Sequence, residues 1–521
     1  MIVTSPYPDV TIPDTDITSY VLRQAEELGD KPALIDGPTG RTITFGGLAK
    51  GIESVAAGLA ARGFAKGDVF AIYCPNVPEF AVAFHAVARL GGVNTTINPL
   101  YTAEELTLQL NDAGARFLLT IPQFLDKAAA AARNSGIEEV FVLGEAAGAT
   151  PFADLMAEGP APEVAIDPQD VVVLPYSSGT TGLPKGVMLT HHNLVANIQQ
   201  CGPALTVDSS DTIIAVLPFF HIYGMQVIMN MAVSFGATVV TMPRFDMEQF
   251  LGLMQDHKVT NAYLVPPIVL GLAKLPLVDD YDLSSLRLIM SGAAPLGADL
   301  QNACAERLGC TVMQGYGLTE TSPVTHVVPP DSDDARPGSI GPPLPKTECR
   351  IVDPVTEQDM GVGEPGELWM RGPQVMKGYL NNPEATAACI DEGGWFHSGD
   401  IATVDSDGWF TIVDRLKELI KYKGMQVAPA ELEALLLSNP AIADVAVIAS
   451  PDEEAGEVPK AFVVLRSETT PTEIMDWVAD RVAPHKKIRR LEIVDEIPKS
   501  ASGKILRRIL VEKERAATGS L

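Results

Sequence analysis

The sequence is short of positive charge, of paired cysteines and of unbroken apolar runs, and each shortage argues against a class of protein. Its 521 residues hold 38 Lys and Arg against 66 Asp and Glu, a formal charge of −28. A nucleic-acid binder or a protein held to anionic lipid needs a net basic face, so the balance speaks against both. Six cysteines, at 74, 201, 304, 310, 349 and 389, form no Cys-x-x-Cys pair. Neither structural zinc nor a disulfide framework is expected, and they read as reduced core residues. The most apolar stretch, Ile213 to Met242, is broken by Pro218, His221, Gln226 and Asn230, whereas a spanning helix needs about 20 mostly apolar residues. A buried strand, a loop and a buried helix are expected there. Met1 to Asp9 shows no basic region leading into an apolar core, and Gly519-Ser520-Leu521 is not a Ser-Lys-Leu address. The expectation is a soluble, cytoplasmic protein without internal repeats or low-complexity tracts.

What is present is a large, well-patterned core. Hydrophobic residues make up 46% of the chain and charged residues 20%, enough apolar surface to order several domains. The 44 glycines and 40 prolines fall between periodic segments, as in a loop-rich enzyme. Thr44 is placed to cap a helix bearing Leu48, Ile52, Val55 and Leu59, ended by Gly63. Val69–Ile72 reads as a buried strand, and Pro78 suits the first turn of the next helix. Thr102-Ala-Glu-Glu105 is a capping box, and Phe117–Thr120 is again strand-like. Such alternation predicts parallel sheets with helices on their faces. After Asp414-Arg-Leu-Lys-Glu418 the texture changes: a helix opened by Pro429, short strands at Val445–Ile448 and Ala461–Val464, then a basic segment. The predicted fold class is α/β, with a large N-terminal domain of several subdomains (1–416) and a small α+β domain (417–521).

The strongest local signal is Tyr176-Ser-Ser-Gly-Thr-Thr-Gly-Leu-Pro-Lys-Gly-Val187, directly after an apolar run. Gly179 and Gly182 allow tight turns that bring backbone N–H groups together on phosphate oxygens. Ser177, Ser178, Thr180 and Thr181 add hydroxyl donors, and Lys185 adds a cation. The loop is suited to a polyphosphate, yet it is not a Walker A loop, because Pro184 precedes the lysine and Gly186 follows it.

This loop resembles the phosphate-binding signature of the adenylate-forming superfamily, which holds acyl-CoA synthetases, luciferases and the adenylation domains of peptide synthetases. Pro218-Phe-Phe-His-Ile-Tyr-Gly224, Ser291-Gly-Ala-Ala-Pro295, Gln314-Gly-Tyr-Gly-Leu-Thr-Glu320, Trp395-Phe-His-Ser-Gly-Asp400, Asp414-Arg-Leu-Lys417, Lys421-Tyr-Lys-Gly424 and Pro498-Lys-Ser-Ala-Ser-Gly-Lys504 follow in the family's order. The likeness is nearest to 4-coumarate–CoA ligases and their fatty-acyl relatives. It implies an enzyme that joins a carboxylic acid to ATP as an acyl adenylate, releases pyrophosphate, and passes the acyl group to CoA. Catalysis of that kind is mainly positioning and charge neutralisation.

By the same resemblance, Glu320 is the glutamate associated with Mg2+, with Thr319 beside it on the phosphate. Asp400 takes both ribose hydroxyls and Arg415 stands next to it. Ala293, Gln314, Gly315 and Tyr316 line the adenine slot. Lys504 bridges the acid's carboxylate and the α-phosphate, and His221 contacts that carboxylate, though as no general base. The small domain is implied to swivel about Lys417, which would bring Lys421 to the adenylate and Lys423 and Gly424 along the pantetheine tunnel, with Arg244 at the CoA nucleotide. Tyr223, Val227, Met290, Ser291, Gly292, Gly315, Ser322, Pro323 and Val324 are implied to surround the acyl group. Gly292 and Gly315 would leave room for a flat ring, and Tyr223 would reach a phenolic hydroxyl, which favours a hydroxycinnamate-like acid. Thr321-Ser322 stand where the plant ligases typically carry Ala-Gly, so medium- or long-chain fatty acids stay open. So does a luciferase-like monooxygenase. No aspartate near Phe219-Phe220-His221 answers a substrate ammonium and no carrier domain follows, which makes peptide-synthetase adenylation the weaker alternative. A nucleotide-binding regulator without turnover would not need Lys504, Glu320, Asp400 and Arg415 together.

Overall fold

Parallel pairing dominates two eight-stranded sheets whose carboxyl edges meet over one cavity. The computed structural model describes residues 1–177, 184–330, 336–423, 425–452, 454–500 and 503–518. Strands Val69–Tyr73, Val93–Thr96, Ala115–Thr120, Glu139–Val142 and Val171–Ser177 pair in parallel in the first sheet, and Lys185–Thr190 joins antiparallel to Val171–Ser177, with Gly378–Tyr379 beyond it at the edge. In the second, Pro32–Asp36, Thr212–Ala215, Thr238–Thr241, Asn261–Leu264, Leu288–Ser291 and Thr311–Gly317 are parallel neighbours. One hydrophobic core runs between them, with Phe70, Phe80, Phe84, Phe219 and Tyr263 wholly buried.

The local signals act as the patterning requires. Thr44 caps the helix Phe45–Ala61 by accepting a hydrogen bond from the Gly47 N–H (3.0 Å). At Ala103–Ala113 both halves of the Thr102–Glu105 capping box form, and Gly114 ends the helix in the left-handed region at φ 66°. The apolar stretch after residue 212 resolves into the strand Thr212–Ala215, a loop, the helix Tyr223–Met231 and a further strand, Thr238–Thr241. No helix among the described residues is long and apolar enough to cross a membrane.

A third, antiparallel sheet carries Gly366–Arg371, Phe396–Val404 and Phe410–Arg415. A fourth is built from residues 420–493: Ile442–Asp452 pairs antiparallel with Gly456–Leu465, and Arg490–Ile493 joins in parallel. Its own core holds Ile420, Leu432, Leu436, Val445, Val463 and Ile474. The mixed α/β architecture, a large body with parallel sheets and a smaller C-terminal unit, is the fold class expected from the sequence.

Candidate functional site

The cavity, about 910 Å3, lies at the carboxyl ends of the parallel strands, where open α/β sheets present their ligand crevices. Thr96, Ser177, Met290 and the run Gly315–Glu320 reach it from strand ends, and Arg415, Lys417, Ser500 and Lys504 close it from the other side. Five loop residues named above, Ser178, Gly179, Thr180, Thr181 and Gly182, lie outside the described residues, as does Gly424. The stem of that loop is described: Lys185 pairs with Ser177 across the two strands, and both line the cavity.

Glu320 sits at the head of this stem. Its Oε1 accepts hydrogen bonds from the Ser177 hydroxyl and from the Tyr379 hydroxyl, each at 2.8 Å. The Lys185 ammonium lies 4.9 Å from the centre of the Tyr379 ring. Sequence reasoning missed Tyr379, which arrives on the two-residue strand Gly378–Tyr379 antiparallel to the loop's own strand. Two residues show no periodicity, so no pattern signalled it. Among the described residues no three His, Cys, Asp or Glu side chains gather as a metal cage. A single fixed carboxylate suits a hard ion that keeps its waters and shares the oxygens of a phosphate, so Glu320 fits Mg2+.

Asp400 is 4% exposed. Its Oδ2 accepts from the Tyr316 hydroxyl at 2.5 Å, and its Oδ1 lies 3.1 Å from Arg415 Nε, its cross-strand partner. Burial raises the Asp400 carboxyl above the usual carboxylate range, and the guanidinium beside it works against that shift. Burial, with Asp400 adjoining, likewise holds the Tyr316 phenol well above its ordinary value.

Lys504 is tied to Ser500 by two hydrogen bonds. Its carbonyl accepts from the Ser500 N–H at 2.8 Å, and its own N–H donates to Ser500 Oγ at 3.1 Å. Gly503 takes φ 77° there, and a Cβ on it would lie 3.1 Å from Val265 of the large body, so glycine brings the lysine this close without strain. Burial lowers the Lys504 ammonium to about 8, and the Arg415 charge pushes the same way. His221 shares the cavity. Its Nδ1 accepts from the Tyr223 N–H at 3.2 Å, and burial, with Lys504 nearby, lowers the ring to about 4. It is therefore neutral at pH 7 with its proton on Nε2, a donor fit for a carboxylate oxygen.

Among the residues expected to surround the acyl group, the structure leaves less open space than the sequence implied. A Cβ on Gly292 would lie 2.8 Å from Tyr223 Cε1, so the room that this glycine leaves is filled by the tyrosine ring itself. The Tyr223 hydroxyl donates to the Met290 carbonyl at 3.2 Å, which leaves its oxygen able to accept from a substrate. Pro323, Val324, Gly315 and Ala293 line the wall. Ser322, wholly buried at φ 69°, is not part of that lining.

Other expected wall residues also stand elsewhere. The Gln314 side chain clasps Leu296, accepting from its N–H at 2.8 Å and donating to its carbonyl at 3.0 Å, and leaves the wall to Gly315 and Tyr316. Ser291 alternates with Met290 along one strand, so the two face opposite sides of the sheet, and only Met290 lines the cavity. Val227 is buried in the core off the lining. Arg244, Lys421 and Lys423 are exposed and outside the cavity, Lys423 in an ion pair with Glu454 at 2.5 Å.

Comparison with known proteins gives this cavity its class. The anthranilate CoA ligase AuaEII in complex with anthranoyl-AMP superposes with a TM-score of 0.90 at 29% identity, over 97% of this chain and 98% of the other. The o-succinylbenzoate CoA synthetase of Bacillus subtilis, solved with its acyl-adenylate intermediate, gives 0.83 at 30%, over 96% and 98%. The fold is thus that of adenylate-forming ligases. Residues 21–380 match the model of the AMP-binding enzyme family and residues 431–504 that of its C-terminal domain, so the chain belongs to the AMP-binding enzymes. Similar curated proteins include the 4-coumarate–CoA ligase 5 of Oryza sativa subsp. japonica, 46% identical over 97% of this chain and 96% of that protein. The 4-coumarate–CoA ligase of Pinus taeda is 45% identical over the same shares.

Proposed function

We propose that this chain is a cytoplasmic AMP-forming acid–CoA ligase whose acid is hydroxycinnamate-like, such as 4-coumarate. The observation that carries the reading is the meeting of Lys504, neutral His221, Tyr316 and Arg415 around one cavity, with Asp400 held against Tyr316 and Arg415. Full-length likeness to named 4-coumarate–CoA ligases supports it, and unpaired, mostly buried cysteines suit a reducing compartment.

Asp400 would accept the two ribose hydroxyls while Tyr316 stacks on the adenine. Ser177, Thr319, Lys185 and the loop between them would hold the phosphates, and Glu320 would hold Mg2+, which when bound supplies neutralising charge. His221 Nε2–H and Lys504 would orient the acid's carboxylate toward the α-phosphorus. Its oxygen forms the new P–O bond as the bond to pyrophosphate breaks, and no general base is needed because the nucleophile is already an anion. For the second half-reaction, residues 417–521 would turn about Lys417, carrying Lys504 out and Lys421, Lys423 and Gly424 in. Arg244 would meet the CoA nucleotide, and the thiol sulfur would displace AMP from the acyl carbon.

The Tyr223 oxygen, left as an acceptor against a ring-filled slot, supports a phenolic aryl acid over an extended alkyl chain. A CoA-thioester assay across hydroxycinnamates, benzoates and fatty acids of graded length tests this. The largest kcat/KM is expected on a 4-hydroxycinnamate; preference for a long alkyl acid, or no thioester with any acid, would overturn it.

A further inference from the structure

The ribose-site aspartate is held by a device in the third sheet. Between Gly366–Arg371 and Phe396–Val404 the register runs from Glu367 opposite Ile401 to Trp369 opposite His397. One residue on the first strand therefore faces three on the second, Ser398, Gly399 and Asp400. A bulge of this kind leaves its extra residues off the ladder and re-aims a side chain. Here it turns Asp400 toward Tyr316, which lines the cavity, with Gly399 at φ 71°.

Groups off a ladder must find other partners. The Gly399 N–H donates to Glu367 Oε1 at 2.9 Å, and the Gly399 carbonyl accepts from the Leu416 N–H at 2.9 Å. Asp400 N–H is met by Ser398 Oγ at 3.1 Å. The other Glu367 oxygen accepts from Trp369 Nε1 at 2.9 Å, and the Trp369 ring lies flat on His397, centroids 3.7 Å apart and planes within 10°. Glu367 is thus a buried carboxylate (8% exposed) with one oxygen on the bulge and the other on the indole that braces the strand leading into it.

We propose that Glu367 is a positioning residue for nucleotide recognition: it fixes the Gly399 peptide and so sets Asp400 at the ribose hydroxyls. The inference rests on the reading of Asp400 given above. A carboxylate is required because both neighbours are N–H donors. An amide offers one oxygen, so glutamine would turn its NH2 toward either the indole or the bulge. Asp400 itself keeps Tyr316 and Arg415 as partners, so the loss is one of placement rather than of charge.

The test is the ratio of kcat/KM for ATP to that for 2′-deoxy-ATP in acid-dependent pyrophosphate release, with thermal unfolding alongside. Folded fraction cancels in the ratio, so a merely structural role would leave it unmoved. Wild type is expected to favour ATP, and Glu367→Gln to reduce the preference on the order of tenfold, the cost of one misdirected buried donor. Trp369→Phe keeps a ring over His397 and frees one carboxylate oxygen, so a smaller loss of about threefold is expected; it carries the test if Glu367→Gln does not fold. Equal ratios in wild type and both variants would overturn the role of Glu367. A wild type that does not distinguish the two nucleotides would overturn the ribose reading of Asp400, and the inference with it.

Discussion

The lowered ammonium of Lys504 predicts a basic limit to acid activation. Burial and the neighbouring Arg415 charge bring this lysine from 10.5 to about 8, and a bridge between two anions requires it protonated. One proton governs the step, so kcat/KM for pyrophosphate release should fall tenfold per pH unit above 8. At pH 9 about a tenth of the free enzyme is competent. The effect on stability has the opposite sign. Between 8 and 10.5 the unfolded chain binds more protons than the folded one at this site, so the Lys504 contribution favours folding increasingly as pH rises. The charged lysine costs the folded state on the order of 3 kcal/mol below pH 8, and that cost fades above it. Lost activity at pH 9 is therefore not unfolding through this residue. Bound ATP and acid are anions, so the limit in kcat should lie above that in kcat/KM. His221, at about 4, contributes no limb between pH 5 and 8. Stopped assays at saturating and limiting acid from pH 5.5 to 9.5 measure both profiles. A kcat/KM that stays flat to pH 9.5 would refute the bridging charge.

Two predictions concern the acyl end. Tyr223→Phe removes the oxygen left to accept from a phenol, so the preference for 4-hydroxycinnamate over cinnamate should shrink about five- to tenfold, one net hydrogen bond; the ratio of kcat/KM on the two acids reads it directly. Gly292→Ala would drive a methyl to 2.8 Å from the Tyr223 ring, which has buried Tyr263 edge-on behind it at 6.5 Å. Overpacking of this kind costs about 1–3 kcal/mol. The melting temperature should drop and KM for the acid should rise about tenfold with KM for ATP nearly unchanged, measured by thermal unfolding and initial rates.

Local chemistry made much of the fold legible. Thr44, Thr102 and Pro78 act on the backbone within one helical turn, so their meaning does not depend on the rest of the chain. The resemblance, carried by motifs from residue 176 to 504, brought residues from opposite ends of the chain to one expected site, and Lys504, His221, Tyr316, Asp400 and Arg415 do share one cavity or touch each other at its wall. What stayed hidden was side-chain direction and long-range pairing. Gln314 lies inside a strong motif, yet its amide clasps Leu296. Tyr379 and Glu367 reach the site through strand pairing and a bulge, which no period of 2 or 3.6 encodes. Gly292 was expected to leave an empty space, and only three dimensions put the Tyr223 ring there.

The net charge of −28 poses a further question for a protein expected to gather ATP, pyrophosphate and CoA. The answer is local: residues 486–515 hold ten Lys and Arg against five Asp and Glu. Lys185, Arg415, Lys417 and Lys504 all line the cavity. Net charge governs solubility, while the site makes its own positive field.

The central claim is that Lys504 serves adenylation alone, and that the small domain must turn before CoA can react. Lys504→Ala measured separately in the two half-reactions tests it. Acid-dependent pyrophosphate release should fall on the order of a hundredfold or more, while premade acyl adenylate plus CoA should still yield thioester at near the wild-type rate. An equal fall in both half-reactions would contradict the account.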